Sequence, residues 1–284
     1  MTGAPMPAFK PRQLASLKLT EELKIAEQLA LEAGALLRSR QSTREEVRFK
    51  VNAEIVTAAD IASNEIICRG LLAAFPGDAI CSEEAPEFAD GSTNRTWIVD
   101  PLDSTSNYVE GGDEYSVSIG LAIAGQAVLG VVYSPARDEL FSGHRGIGAR
   151  WNRIPVRAAF AASSQQPRLL VSSKEWKRGL NNVVKITTVQ PMASMAYKLA
   201  RVAAGRNDAC ISFKRRKPWG TCAGTALVLA AGGQVTSLDG EPLVFGCSGS
   251  CTFRGMVAAG NQLHDRFLKL ACDIDRSMRA RYPA

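Results

Sequence analysis

The chain has 284 residues, 46% hydrophobic and 22% charged, with a net charge of +6 and a pI near 9.0, enough apolar material for one large domain or two closely joined ones. No stretch reaches the ~18–20 uninterrupted apolar residues of a membrane span, and no signal-peptide run opens the sequence, so a cytoplasmic protein is expected. The odd count of seven cysteines argues against a complete disulfide framework.

Residues 1–18 carry Pro5, Pro7 and Pro11 among polar and basic neighbours and read as a flexible lead-in. From Thr20 to Ser39, Leu23, Ala26, Ala30, Ala33 and Leu37 recur at helical spacing, with Glu21 and Glu22 in the first turn. A second helix is predicted from Asp60, as its cap, to Ala74, stopped by Pro76-Gly77. Trp97-Ile98-Val99 is a short strand ending in Asp100. Tyr115–Ala124 and Ala127–Tyr133 form a hairpin about Gly125-Gln126, followed by a strand over Glu139–Ser142. Further on, strands are predicted at Leu169–Val171, Ala209–Phe213, Gln234–Ser237 and Gly255–Ala259. Helices are predicted at Ala193–Ala204, Thr221–Ala231 and Gln262–Arg279. The class is mixed αβ in layers, with a boundary near residues 150–160.

The chain has only two histidines, neither near a nucleophile in sequence, so carboxylates must carry any catalysis. Cys247 and Cys251 lack a second Cys/His pair for zinc. Basic residues are scattered except for Lys214-Arg215-Arg216-Lys217, a cluster that an anionic small molecule explains as well as a polymer; no specific nucleic acid is expected. Ser82-Glu83-Glu84 follows one apolar strand and Asp100-Pro101-Leu102-Asp103-Ser104-Thr105 another. Such carboxylates repel one another unless a cation lies between them, and magnesium prefers an all-oxygen shell. The alternative is that Asp100 and Asp103 only cap a turn.

Asp100-Pro101-Leu102-Asp103-Ser104-Thr105, preceded by Trp97-Ile98-Val99, resembles the D-P-[IL]-D-G-T signature of the inositol monophosphatase superfamily. Lys50 with Val56-Thr57-Ala58-Ala59-Asp60 is similar to the family's early loop and helix, and Ser82-Glu83-Glu84 to its glutamate motif. Leu129 to Pro135 is similar to its central hairpin, and Trp219-Gly220-Thr221-Cys222-Ala223-Gly224 with Ala231-Gly232-Gly233 to W-D-x-A-A-G…A-G-G. The resemblance implies a layered αβαβα fold of α+β and α/β character. Residues 19–155 would form the metal-binding part and residues 156–284 the substrate-binding part. It implies a magnesium-dependent phosphomonoesterase acting on a small phosphorylated metabolite without a membrane, and a homodimer would fit.

Carried over, the resemblance assigns Glu83, Asp100 and the Leu102 carbonyl to a first ion, and Asp100 with Asp103 to a second, of two or three in all. Thr105 would polarise the attacking water, and the N–H groups of Ser104 and Thr105 would receive the phosphate. This sequence departs from the pattern at three places. Ser104 replaces a Gly, tolerable if the backbone there is right-handed. Glu54 stands where an Asp is expected to work with the Thr. Gly220 replaces a metal-ligating Asp, so the second metal site should be weakened and activity impaired by an introduced change, or the chain should be a non-catalytic phosphate-ligand or protein-binding relative, or an enzyme that finds its ligand elsewhere; the alternative is a helix that wants Gly at its start. In inositol-specific members a Glu binds the ring where Phe213 stands. The basic run with Lys214 and Arg215, together with Ser194 and Lys198 resembling a helix start of the 3′(2′),5′-bisphosphate nucleotidases, points to adenosine 3′,5′-bisphosphate. Inositol 1-phosphate is the alternative.

Overall fold

A computed structural model describes residues 16–41, 47–49, 55–85, 94–159, 167–182, 184, 188–246 and 253–281. The Leu/Ala stripe near the start forms helix α1 (Thr20–Gln41), which buries Leu23, Ala26, Leu29, Ala30, Ala33 and Leu37 and carries Arg38 and Arg40 in its last turn. Strands β1 (Val47–Phe49) and β2 (Ile55–Thr57) pair antiparallel and lead into α2 (Ala58–Ala74). Its N-cap is Thr57, not the predicted Asp60: the Thr57 hydroxyl accepts from the amides of Ala59 and Asp60, and Asp60 reaches back to the Thr57 N–H, a closed capping box. Asp60 is thereby pinned at the third helical position, a placement that matters below.

The first sheet has seven strands in chain order, β3 (Ala79–Ser82), β4 (Arg95–Asp103), β5 (Ser116–Ile123), β6 (Gln126–Ser134), β7 (Glu139–His144), β8 (Gly148–Trp151) and β9 (Ile154–Val156). Helix α3 (Thr105–Val109) interrupts the run after β4. The β3–β4 pair is parallel and the later pairs are antiparallel. Every residue of β5 is buried, because helices cover both faces of this sheet; its alternation is accordingly only partial. Strands β8 and β9 went unpredicted. They are short, and their turn at Asn152-Arg153 has φ of 47° and 70°, a hairpin turn built without the glycine that signals one.

The second sheet contains β10 (Leu169–Ser172), β11 (Val189–Met192), β12 (Ala209–Arg216), β13 (Gly233–Thr236) and β14 (Phe253–Gly260) in the order β11-β10-β12-β14-β13. Helices α4 (Ser173–Lys177), α5 (Met195–Ala203), α6 (Cys222–Ala230) and α7 (His264–Arg281) complete the chain. Residues of α1 and α2 share one apolar cluster with β4–β6, those of α5 and α6 pack between the two sheets, and α7 covers the far face of the second. The result is the expected αβαβα stack. No helix among the described residues is long and apolar enough to cross a membrane.

One contact sets the active end of the stack. Gly120 and Gly130 oppose each other on β5 and β6. A Cβ built on Gly130 would fall 2.1 Å from the Ala223 carbonyl oxygen, and one on Gly120 would fall 2.8 Å from the Ala223 nitrogen. The start of α6 therefore lies directly on sheet backbone, which carries the preceding residues Trp219 and Gly220 to the end of β4.

Candidate active site

Strand β4 carries the acidic motif. Its pairing with β5 slips between Asp100 and Asp103, where Pro101 has no N–H to offer the ladder. The Ser63 hydroxyl donates to the Pro101 carbonyl at 2.8 Å and holds this turn against α2. Asp100 is 3% exposed and accepts from the Leu102 amide at 3.2 Å. The Glu83 amide donates to Val99 O at 3.1 Å, which places Glu83 beside the strand end. Burial first, then the charges of Glu83, Asp103 and Asp60, push the Asp100 carboxyl well above the usual carboxylate range. Such a set suits a hard divalent cation, which would reverse that shift.

Asp103 is held from the other sheet's side. Its Oδ2 accepts from the Ser194 hydroxyl and from the Ala196 amide, both at 2.7 Å. The Ser194 oxygen also lies 3.0 Å from Ser116 Oγ and accepts from the Tyr197 amide at 3.0 Å, capping α5. Ser194, expected from the sequence at the substrate, is bonded to the acidic motif instead.

Thr105 is held as well, but by a partner that sequence reasoning missed. Its Oγ1 donates to Asp60 Oδ1 at 2.9 Å and lies 3.2 Å from the Leu102 carbonyl. The other Asp60 oxygen accepts from the Thr57 amide and hydroxyl at 2.8 and 2.7 Å. Asp60, assigned from sequence only to a helix cap, is the carboxylate that meets Thr105. Its pKa is raised, by burial first, against the lowering hydrogen bonds from Thr57 and Thr105. Glu54, expected in that role, lies outside the described residues, as do Lys50, Cys247 and Cys251.

Ser104 corrects a second expectation. Its φ of 82° and ψ of 52° are left-handed, not right-handed, so a residue without Cβ is preferred there. Ser104→Gly is expected to raise unfolding free energy by about 1 kcal/mol, read as a higher denaturant midpoint at unchanged slope. An unchanged midpoint would show that the strain is relieved locally.

Gly220 faces this cluster. A Cβ built on it would lie 3.4 Å from Asp100 Oδ2 and 3.9 Å from Asp103 Oδ1, ordinary contact distances. Its φ is not in the left-handed region, so no conformational need for glycine exists and the helix-start explanation loses its basis. The Ser118 hydroxyl donates to the Trp219 carbonyl at 3.2 Å and fixes the approach. Among the described residues, no group of three or more His, Cys, Asp or Glu side chains is arranged to hold a metal ion. Glu83 and Asp103 lie close enough for their charges to act on Asp100, and Gly220 adds no side chain to them.

The predicted substrate residues separate. Lys198 is fully buried and donates to the Met192 and Ala193 carbonyls at 2.8 and 3.0 Å, with burial lowering its pKa to about 8. Its ammonium is committed to the turn that presents Ser194, which corrects its direct substrate role. Lys214 and Arg216 belong to a bulged strand, since β12 runs past its predicted end at Phe213 through Arg216, with its pairing to β14 shifted between Ser212 and Arg215. Buried Glu175 fills the bulge, accepting from the amides of Phe213 and Lys214 at 2.8 Å each, from Ser212 Oγ at 3.2 Å and from Arg216 at 3.1 Å. Lys214 is half-buried and Arg215 exposed. Both histidines are buried and bonded elsewhere: Gly146 N donates to His144 Nδ1, and His264 Nε2 pairs with Thr236 Oγ1.

Five alternating layers with an oxygen-rich acidic site at buried strand ends are the frame of a phosphoric monoester hydrolase. Residues 18–276 match the model of the Inositol monophosphatase family, and the chain belongs to that family. It is 31% identical over 266 residues to inositol monophosphatase 2 of Solanum lycopersicum, covering 88% of this chain and 97% of that protein. It is also 31% identical over 263 residues to the histidinol-phosphatase of Chlorobaculum parvum, covering 87% of this chain and 100% of that protein. The structure of an inositol monophosphatase from Anabaena superposes with a TM-score of 0.75 at 30% identity, over 90% of this chain and 96% of that one. The protein is a phosphatase of this family.

Proposed function

We propose that the chain is a magnesium-dependent phosphomonoesterase for a small metabolite with a second anionic group, adenosine 3′,5′-bisphosphate being the leading substrate. Glu83, Asp100 and the Leu102 carbonyl would hold one ion and Asp100 with Asp103 another, of two or three in all. Bound magnesium would supply charge neutralisation at the phosphate and a more acidic water. With its proton directed at Asp60, the Thr105 oxygen would be free to accept from the attacking water, with Asp60 as the base behind it. The N–H groups of Ser104 and Thr105 would receive the phosphate, and Ser194 keeps Asp103 oriented.

The observation that carries the substrate class is the cationic surface on β12. Glu175 fixes the bulge; burial first, then the charge of Arg178, lower the Lys214 pKa, with Arg216 and Lys174 adding to this and Glu175 opposing it. A ligand bearing a second phosphate relieves that repulsion; neither a neutral inositol ring nor a cationic histidinol does so. Phosphate release from adenosine 3′,5′-bisphosphate, inositol 1-phosphate, histidinol phosphate and fructose 1,6-bisphosphate, each with magnesium, tests this. The bisphosphates are expected to lead in kcat/KM by about tenfold, a difference of about 1.4 kcal/mol. A preference for inositol 1-phosphate would sink the assignment.

Gly220 favours a second reading, a weakened enzyme or a phosphate-binding relative without turnover, which the same panel separates. A homodimer acting in the cytoplasm goes with the enzymatic reading, and sedimentation of the purified chain checks the dimer.

A further inference from the structure

We propose that the space in front of Gly220 is a binding site for a small carboxylate, which enters together with the divalent cation and stands in for the missing side chain. The inference rests on the metal reading of Asp100 and Asp103. An aspartate at this position would differ from glycine by CH2–COO−, which is the bulk of acetate. A Cβ built on Gly220 would lie at contact distance from both carboxylates, 3.4 Å from Asp100 Oδ2 and 3.9 Å from Asp103 Oδ1. Apart from its chain neighbours, no other described residue comes closer to that Cβ.

The surroundings fix where such an anion would sit. Trp219 is tied by its carbonyl to Ser118 on β5, and the start of α6 lies on sheet backbone at Gly120 and Gly130, so the segment cannot collapse into the gap. Gly220 is partly exposed, which gives a small solute access. The Lys217 ammonium stands 5.4 Å over the Trp219 ring, a positive charge one residue from the opening. Asp103 spends one oxygen on Ser194 and Ala196, leaving Oδ1 facing the gap.

Charge makes the two ligands interdependent. A carboxylate alone meets Asp100 and Asp103 and is repelled; a divalent cation alone finds too few anionic ligands. Together they satisfy each other, and linkage requires that each tighten the other by the same factor. The source of the carboxylate is either a free metabolite or the substrate itself, when an acid group lies close to its phosphate.

The test is calorimetric titration of the wild-type chain with Mn2+, with and without 50 mM formate, beside Gly220→Asp and Gly220→Val. In wild type, formate is expected to tighten Mn2+ binding by about tenfold, within the usual range of coupling between sites. Gly220→Asp is expected to bind Mn2+ tightly with no response to formate, and Gly220→Val to bind weakly with no response. Activity arms then distinguish the sources: a phosphomonoester bearing a neighbouring carboxylate should need no formate, whereas glycerol 2-phosphate should. If Gly220→Asp binds Mn2+ but formate leaves wild type unmoved, the carboxylate site is overturned while the metal reading stands. If neither protein binds Mn2+, the metal reading itself falls, and the proposal with it.

Discussion

Replacing Gly220 by aspartate is expected to raise kcat/KM for the best phosphomonoester by about 100-fold, equivalent to about 2.7 kcal/mol of transition-state stabilisation. Backbone strain does not oppose the change, because φ at Gly220 lies outside the left-handed region and the new Cβ meets its neighbours no closer than 3.4 Å. Electrostatics gives the variant a second signature. Without divalent cations, the added carboxylate joins Asp100, Asp103 and Glu83, so the variant should melt below wild type. With magnesium the order should invert, since a ligand bound to the folded state stabilises it by RT ln(1 + L/Kd) at free concentration L, a gain that is larger for the tighter binder. Phosphate release and melting curves across a magnesium titration check both. A variant no more active than wild type on any phosphate ester would remove Gly220 from the metal shell.

Asp60→Asn is the second large effect. The amide preserves shape and an acceptor for Thr105 or Thr57, but it cannot take a proton. A fall in kcat of about 100-fold with KM nearly unchanged is expected, the usual size for losing a general base. Because Asp60 also closes the capping box of α2, stability should fall too, by about 1 kcal/mol. The two losses are separable: kcat measured well below the melting transition reports chemistry, and the denaturation midpoint reports the cap. An undiminished kcat would show that Thr105 works without Asp60.

The legible and illegible parts of this site differ by sequence separation. Asp100 to Thr105 are contiguous, and their chemistry could be named because one strand end and one proline fix them. The Asp60–Thr105 bond spans 45 residues, and nothing local to Asp60 distinguishes a helix cap from a cap that also serves a distant hydroxyl. Lys198 misled for a related reason. Its spacing from Ser194 is that of a helix start, yet whether the ammonium turns to a ligand or to the carbonyls of Met192 and Ala193 is decided by packing between the sheets. The strand predicted to end at Phe213 runs on through Arg216, because buried Glu175, from another element, bonds the amides and guanidinium of the bulge. The helices were the most legible, α1 and α7 above all, since a long amphipathic stripe needs no distant partner to declare itself.

The bond between Ser194 and Asp103 joins residues 91 apart, one entering α5 between the sheets and one ending β4. Asp103, on the first sheet, thus takes its orientation from the cap of a helix that arrives much later in the chain. Until α5 has docked between the sheets, that carboxylate lacks the partners that aim it, so completing the acidic centre is coupled to completing the fold.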